Sequence, residues 1–328
     1  MSSIVDDNAV VYQGLLEAEF GETLVEAKVE KAEKLTELKA ESDKLLSAVR
    51  HLFNSRYGTQ LSLCYSELIV EYRTNSRKAR PLQTCRKRWC PMCAHALSQR
   101  RWAALINRLP GIIAPHEPLS WVMLTLTVRN VPISELKATV RHMLQSWRRL
   151  TRCDVWPAVG WLRSVELTIN PDTREAHPHI HALLAVKPSY FGRNYITQAR
   201  WAELWQRSLK VDYTPIVDVR RVKPRQDLPG LSSGIQAALG GISEVMKYVT
   251  KPSDLSRMPT DTVAALEALH RVRMVEGGGI LKGILSMLDE KDEGGDLLAD
   301  APDEPVERTA AYWWRAAERQ YRRRIPPV

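Results

Sequence analysis

The decisive stretch of the sequence is His177-Pro-His179-Ile-His181-Ala-Leu-Leu184, in which imidazoles alternate with other side chains. Alternate side chains of a β-strand point to one face, so the three histidines are expected side by side at steps of about 7 Å. Crowded imidazoles need partners, and two or three histidines on one strand face are typical of a metal site. The pattern predicts a metal-binding strand; the alternative is a hairpin whose surface histidines are satisfied by water.

The segment before the histidines offers a carboxylate. Residues 163–170 are also strand-like, and Asn170-Pro-Asp-Thr173 has the composition of a turn. If the two strands pair as a hairpin, Glu166 can lie opposite the histidines. Histidine and glutamate ligands with open positions suit Mg²⁺ or Mn²⁺ assisted by the phosphate oxygens of a substrate.

A second pattern lies further along the chain, around a tyrosine. Glu244, Tyr248 and Lys251 are spaced i, i+4 and i+7, which places a carboxylate, a phenol and an ammonium on one face of a helix. This helix is predicted to begin at Ser243 after a glycine-rich turn and to end before Pro252. A phenol with a pKa near 10 is a poor nucleophile unless a cation or metal stabilises the phenolate. The alternative is a tyrosine packed in the core.

Four of the five cysteines lie before residue 94. Cys85, Cys90 and Cys93 are close in sequence, and Cys64 precedes them by 21 residues or more. Thiolates with this spacing suit tetrahedral Zn²⁺. His95 could replace Cys64 as the fourth ligand, and a set of buried free thiols is the alternative.

The charge distribution favours a nucleic-acid partner. The chain carries 47 Lys and Arg against 38 Asp and Glu, a net charge of +9, and residues 72–101 hold nine basic residues and no acidic one. Such a block is typical of a phosphate-binding surface, whereas a merely solvated surface mixes signs. The candidate DNA-binding residues are Arg86, Lys87, Arg88, Arg100, Arg101, Arg129, Arg220 and Arg221.

Composition excludes several classes of protein. With 328 residues, 44% of them hydrophobic and 26% charged, the chain has the profile of a soluble globular protein and not of a disordered, collagenous or membrane protein. No run approaches the roughly 18 apolar residues of a membrane helix. The N-terminus lacks the layout of a signal peptide, so a cytoplasmic location without membrane contact is expected.

Periodicity and composition predict the organisation of the chain. Residues 1–56 are expected to form a helical extension, and residues 57–110 a basic zinc-binding module. The core of residues 111–285 is predicted to contain strands at Trp121–Val128, Leu162–Ile169, Pro178–Val186 and Ile216–Val222, and helices at Ser134–Leu150 and Thr197–Leu209. Residues 286–328 are expected to be an acidic linker followed by a basic aromatic tail, which either packs as a helix or stacks on single-stranded bases.

Taken together, the motifs resemble the rolling-circle replication initiators (Rep proteins) of small bacterial plasmids, in the pUB110-like branch of the HUH endonuclease superfamily. The order of several motifs is more specific than any one of them. The resemblance rests on Cys85–Cys93, Leu124–Asn130, His177–Leu183 and Glu244–Lys251, with a weaker fifth motif at Gly279–Lys282. These motifs span about residues 61–285 and leave the N-terminal helix and the C-terminal tail outside.

The resemblance implies a fold and an activity. The fold is α+β, with a central antiparallel sheet as an HUH nicking domain, a zinc-binding module, and helical N- and C-terminal extensions. The activity is that of an enzyme: a tyrosine nicks single-stranded origin DNA, forms a 5′-phosphotyrosine, frees a 3′-OH primer and rejoins the strand at termination. The implied partners are the single-stranded nick site, the adjacent duplex, and a host helicase and polymerase.

The family's functional residues map onto this sequence one by one. His179 and His181 correspond to the metal-binding pair and Glu166 to the acidic ligand for Mn²⁺ or Mg²⁺; whether His177 is a ligand is left open. The nucleophile corresponds to Tyr248, its nearby lysine to Lys251, and the glutamate that activates water at termination to Glu244. Cys64, Cys85, Cys90 and Cys93 are the candidate ligands of a structural zinc.

Other functions compete with this interpretation. Conjugative relaxases place their tyrosine before the histidines, whereas here it follows them. HUH transposases keep the order but are shorter and lack the cysteine module. A non-catalytic zinc-dependent DNA-binding regulator, or a hydrolase that uses water alone, would leave no covalent protein–DNA adduct.

Overall fold

The computed structural model describes residues 19–87, 89–224, 230–246, 257–284 and 304–325. These residues form an α+β structure with two antiparallel five-stranded sheets, which confirms the predicted class. The chain divides into two compact units, Met1–Ala96 with Glu293–Val328, and Leu97–Asp292. The finer division into four segments stays a prediction.

The strands and helices of the described residues are numbered in chain order. The strands are β1 (Glu19–Thr23), β2 (Glu67–Tyr72), β3 (Arg77–Pro81), β4 (Ser120–Thr127), β5 (Ala158–Ile169), β6 (Ala176–Val186), β7 (Val217–Arg221), β8 (Val275–Gly279), β9 (Arg308–Arg315) and β10 (Gln320–Ile325). The α-helices are α1 (Ala32–Val49), α2 (Ser55–Ser62), α3 (Pro91–Ile113), α4 (Ile133–Leu150), α5 (Gln198–Leu209), α6 (Ser233–Val245) and α7 (Pro259–Ala268).

The first unit contains a sheet in the order β1-β10-β9-β2-β3. The chain's C-terminal segment therefore forms a hairpin, and the prediction of a helical C-terminal extension is wrong. Tyr312 lies opposite Leu68 and is fully buried, and the buried Tyr321 donates a hydrogen bond to the Tyr65 carbonyl at 2.6 Å. Aromatic residues favour strands, and the burial of these tyrosines between neighbouring strands stabilises the hairpin although arginines surround them in the sequence. The described part of the N-terminal extension, residues 19–56, is helical over α1, as expected, but also contains the strand β1.

The second unit contains a sheet in the order β7-β4-β6-β5-β8. All four pairings between these strands are antiparallel, and the four strands predicted from the alternation pattern are confirmed within a few residues of their bounds. The two helices predicted at Ser134–Leu150 and Thr197–Leu209 are confirmed as α4 and α5. Strand β6 lies in the centre of the sheet, paired with β4 on one side and β5 on the other.

Helices cover both faces of this sheet. On one face, α6 packs Leu239, Ile242 and Val245 against Met123 and Leu183 of the strands, in one continuous apolar core. On the other face lie α4, α5 and α7, where the Trp147 ring of α4 meets the Trp161 ring of β5 edge to face at 5.1 Å. No helix among the described residues is long and apolar enough to cross a membrane.

Helix α6 begins ten residues before the predicted position at Ser243. Its N-cap is Ser232, whose side chain accepts a hydrogen bond from the Ile235 amide. The glycines that suggested a turn lie inside the helix. At Gly241 the residue is glycine because a β-carbon there would clash with the Leu183 side chain. Glycine here allows close approach of the helix to the sheet and does not end the helix.

Candidate metal centre

The face of β6 that carries the histidines is the face covered by α6. His179, His181 and Leu183 are alternate residues of the strand, and Leu183 packs against α6. The predicted hairpin forms: Glu166 of β5 pairs directly with His179, and Thr125 of β4 pairs with His181. Since paired residues point to the same face, these side chains meet beside the apolar core.

Three ligand atoms converge at this point. The His181 Nε2 atom lies 2.9 Å from Glu166 Oε2, and the His179 Nε2 atom lies 3.5 Å from the same oxygen. All three ligand atoms lie within 4.8 Å of one another. Their side chains are 10% (His179), 23% (His181) and 18% (Glu166) exposed, so the cluster is accessible from one side.

Contacts to the far side of each imidazole orient the two rings. His179 Nδ1 lies 3.2 Å from the His177 carbonyl oxygen, which can only accept a hydrogen bond, so Nδ1 carries a proton and the ring presents Nε2 to the cluster. His181 Nδ1 lies 3.1 Å from Thr125 Oγ1. Such outer contacts orient metal-binding histidines. Sequence reasoning missed Thr125, although the Leu124-Thr-Leu-Thr motif placed it on a predicted strand.

The carboxylate of the cluster is ionised at neutral pH. Burial disfavours its charge, but hydrogen bonds and charge interactions with His179 and His181 outweigh burial and lower the pKa of Glu166 to about 2. An anionic oxygen and two imidazole nitrogens with an open side fit a divalent cation that also takes oxygen ligands from a substrate. The residues present therefore fit the predicted Mg²⁺ or Mn²⁺.

His177 is set apart from this cluster. Its Nδ1 atom lies 2.8 Å from Asn130 Oδ1, and its ring centroid is 5.4 Å from that of His179. Burial and then the neighbouring His179 lower the pKa of His177. The converging group comprises Glu166, His179 and His181, and His177 supports it through the carbonyl that orients His179.

The predicted tyrosine segment is only partly described. Glu244 lies in the last turn of α6, and Met246 is the C-cap. Tyr248 and Lys251 lie outside the described residues. The direction of the helix is nevertheless clear: Gly234 at its start lies beside Leu119, next to the first residue of β4, and Gly241 lies beside Leu183 of β6. Helix α6 thus runs toward the histidine end of β6.

The cysteines form a second cluster, in the first unit. The Sγ atoms of Cys64 and Cys90 are 3.8 Å apart, those of Cys64 and Cys93 3.5 Å, and those of Cys85 and Cys93 3.7 Å. Disulfide sulfurs would be about 2 Å apart. Four sulfurs at the vertices of a tetrahedron with Zn–S bonds of about 2.3 Å would be roughly 3.8 Å apart. The cluster could therefore hold zinc.

The fourth member of this cluster is Cys64 and not His95, the alternative. All four Sγ atoms lie within 4.8 Å of one another. The Cys85 amide also donates to the Cys64 sulfur at 3.2 Å, which is the kind of contact that stabilises a thiolate. His95 lies outside the group, and burial followed by repulsion from Lys34 and Lys31 lowers the pKa of its imidazole.

The candidate DNA-binding residues are distributed over both units. Arg86 and Lys87 lie in the loop between β3 and α3, Arg88 lies outside the described residues, and Arg100 and Arg101 lie in α3. The Arg129 guanidinium stacks over the Tyr213 ring at 4.0 Å. Arg220 and Arg221 are exposed on β7, at the edge of the second sheet.

Comparison with known proteins places this arrangement in a family. Residues 76–322 match the Rep_1 family, described as Replication protein. The chain is 38% identical to a Protein rep of Bacillus amyloliquefaciens over 250 residues, 70% of this chain and 73% of the relative. It is 37% identical to a Protein rep of Streptococcus pneumoniae over 247 residues, 72% and 74% of the two chains. A Replication protein of Staphylococcus aureus is 34% identical over 64% of this chain and 88% of its own length.

These matches extend further than the motifs did. The family match reaches residue 322, so the C-terminal segment that the motifs left outside the resemblance belongs to it, including β9 and the start of β10. No solved structure matches the chain significantly. The resemblance to plasmid replication initiators that the motifs indicated is confirmed, and the chain is a member of the replication protein family.

Proposed function

We propose that the protein initiates plasmid replication by nicking one DNA strand with a tyrosine nucleophile at a metal-assisted HUH site. The observation that carries the proposal is the convergence of Glu166, His179 and His181 on one accessible sheet face, at the end toward which α6 runs. The family match supports a role in replication, and the residue cluster supports a metal centre suited to phosphate chemistry.

The ligand cluster has the properties that phosphoryl transfer requires. A Mg²⁺ or Mn²⁺ ion bound there would stabilise negative charge on the oxygens of the scissile phosphate. Glu166 stays ionised because of its two histidine neighbours, and each histidine is held with Nε2 toward the cluster. Thr125 and the His177 carbonyl fix the rings before a substrate arrives, so little reorganisation accompanies the reaction.

The nucleophile in this proposal is Tyr248. Its hydroxyl oxygen attacks the phosphorus in line, the phosphorus–O3′ bond breaks, and the proton passes to the leaving 3′ oxygen. The products are a 5′-phosphotyrosine and a free 3′-OH that primes synthesis. Tyr248 follows Met246 by two residues, which span at most about 7 Å, and α6 runs toward the histidines; both facts support this assignment.

Two further residues have proposed roles in the same segment. Lys251 stabilises the developing phenolate of Tyr248. Glu244, on the last turn of α6, activates a water molecule at termination, so that one tyrosine is enough for two cleavages. We expect Glu244→Gln to spare the first nick and impair termination; equal loss of both steps would contradict this division.

The DNA contacts divide between two kinds of surface. The single-stranded nick site lies at the metal centre, and the cysteine cluster with its Arg- and Lys-rich flanks binds the adjacent duplex. Phosphate contacts of this kind make binding strongly dependent on salt. A host helicase then unwinds the duplex and a host polymerase extends the freed 3′-OH, as the family resemblance implies.

The test uses single-stranded oligonucleotides that tile the replicon encoding the chain, incubated with the protein and Mn²⁺ or Mg²⁺ and separated on a denaturing protein gel. We expect a shifted band that requires metal and disappears in Tyr248→Phe. Cleavage without a shifted band would favour attack by water. Tight binding with neither cleavage nor a shifted band would favour the zinc-dependent regulator.

The remaining alternative is an HUH transposase. It would also form the covalent adduct, but it would join the cleaved strand to a second DNA molecule in place of priming synthesis. Extension of the freed 3′-OH by an added polymerase, without strand exchange, supports the initiator.

A further inference from the structure

A cavity of about 360 Å³ opens at the edge of the second sheet, on the face opposite the metal centre. Val122 of β4 and Val219 of β7 form its wall, and both point away from α6, because Val122 pairs with Arg221 and alternates with Met123 of the α6 core. The rest of the lining comes from the segment after β6 and from β7. It consists of Tyr190, Phe191, Tyr195, Arg220 and Arg221.

On the aromatic side of the cavity, one tyrosine is buried and hydrogen-bonded and another is exposed. Tyr190 is 3% exposed; its hydroxyl donates to the Ile196 carbonyl and accepts from Trp201 Nε1 at 3.3 Å. Tyr195 is 50% exposed, with its ring centroid 5.8 Å from that of Tyr190. An exposed tyrosine ring beside a buried, hydrogen-bonded one forms a surface on which a planar ring can stack.

The other side of the cavity is cationic. The Arg221 guanidinium lies over the Phe191 ring at 4.6 Å, and the next residue, Arg220, borders the cavity while pairing with Met123 of the opposite face. None of the described residues that line the cavity is acidic. Aromatic rings beside arginines are the combination that binds a nucleobase together with its phosphate.

We propose, on the basis of the nicking function above, that this cavity binds one base of the single strand that flanks the nick site. Arg221 pairs with Val122, three residues along β4 from Thr125 at the metal centre, a separation of roughly 10 Å along the strand. Strand β7 is the last strand of the described sheet on this side. The DNA strand crosses this edge, with its phosphates on the arginines, and inserts a base between Tyr195 and the cavity wall.

The proposed pocket gives the enzyme a second point of attachment to the single strand. Stacking on aromatic rings tolerates any base, so the pocket sets the position and direction of the strand and not its sequence. A strand fixed at two points presents one phosphate to the metal centre, which is how remote binding contacts contribute to positioning.

The test measures binding of the tightest-binding oligonucleotide without added divalent metal, using a set in which one position at a time is abasic. We expect one sensitive position several nucleotides from the nick, at which loss of the base weakens wild-type binding about tenfold. Tyr195→Ala should bind the intact strand about tenfold more weakly and show no penalty at that position. Tyr195→Phe, which keeps the ring, should behave as wild type.

Three outcomes would contradict the proposal that this cavity binds a base. The abasic penalty could be the same in Tyr195→Ala as in wild type, or Arg221→Ala could bind the strand as tightly as Arg221→Lys. A free mononucleotide could also fill the cavity without competition from the oligonucleotide. Because the binding measurement requires neither metal nor Tyr248, an absent covalent adduct would count against the nicking mechanism alone, and an adduct without the abasic effect against the pocket alone.

Discussion

The two ligand clusters of the molecule differ in their enclosure. The cysteine cluster brings four sulfurs to within 4.8 Å of one another, with Cys64 and Cys90 buried, and its donors suffice for a complete tetrahedral shell. The Glu166, His179 and His181 cluster offers three donors and is open on one side. Closed sites hold a fold together, whereas open sites leave room for a substrate. Removing a ligand should therefore affect stability at the first cluster and activity at the second.

Loss of a cysteine ligand should have the largest effect. We expect Cys90→Ala to abolish zinc binding and to unfold the first unit, because metal-binding free energy at a structural zinc site, about 10–16 kcal/mol in small zinc domains, is folding free energy. Thermal unfolding and metal analysis of the purified variant test this. Cys153→Ala, which removes a cysteine outside the cluster, is the control and should retain both zinc and stability. A Cys90→Ala protein with wild-type stability would contradict a structural role.

Loss of a histidine ligand should affect chemistry and leave the fold intact. We expect His181→Ala to lower the rate of adduct formation at least about 100-fold, because charge stabilisation by the metal contributes several kcal/mol. The melting temperature and zinc content should stay near those of wild type. Unfolding comparable to that of Cys90→Ala would show that the two clusters do not differ as proposed.

The hydroxyl behind His181 should have a smaller effect. Thr125→Val keeps the shape of the side chain but removes the oxygen 3.1 Å from His181 Nδ1. We expect roughly 10- to 100-fold weaker Mn²⁺ affinity, measured as the metal concentration for half-maximal nicking, with recovery at high metal. Thr125→Ser, which keeps the hydroxyl, is the matched control. A loss of rate that excess metal does not restore would assign Thr125 another role.

The helix that packs on the sheet beside the open cluster should be destabilised by a single added methyl group. Gly241→Ala would push α6 away from Leu183, and we expect a loss of about 1–3 kcal/mol in the free energy of unfolding. Gly111→Ala in α3 is the control: among the described residues, no atom outside the neighbouring helix backbone lies within 4 Å of its added β-carbon, so the helix should gain stability. Equal effects in both variants would contradict the close packing of α6 on the sheet.

Acid should lower the stability that the Glu166, His179 and His181 cluster contributes. The pKa of Glu166 is lowered to about 2, so the stability that its charge contributes is present above its ordinary pKa of 4.5 and is lost as the pH falls toward 2. We expect the zinc-loaded wild type, without added Mg²⁺ or Mn²⁺, to lose stability over this range more steeply than Glu166→Gln, measured by denaturant titration at each pH. Glu203→Gln, at an exposed glutamate paired with Arg200, should follow the wild type.

The sequence predicted those features that depend on local periodicity. Alternation placed His179 and His181 on one face, and a turn at Asn170 was enough to pair Glu166 with them. The start of α6 was missed because Gly241 resembles a turn residue until the neighbouring Leu183 is known. Strand β8 was not among the predicted strands, and its Gly278 lies against the Trp161 ring, where a β-carbon would not fit.

The features that were missed depend on contacts distant in sequence. The C-terminal strands pair with β1 and β2, more than 200 residues earlier, and their arginines hid the strand pattern. Thr125 and Asn130 contact the histidines from another strand and the loop after it, which no spacing within the motif reveals. The proposed roles of Tyr248 and Lys251 stay predictions from the resemblance and from the direction of α6.

Peptide mass spectrometry of the protein after reaction with an oligonucleotide tests the central proposal most directly. We expect the peptide that contains Tyr248 to carry a 5′-phosphonucleotide after nuclease digestion, only in the presence of Mn²⁺ or Mg²⁺, and not in His181→Ala. A modified residue other than Tyr248, or cleaved DNA with no modified peptide, would contradict tyrosine nicking at this metal centre.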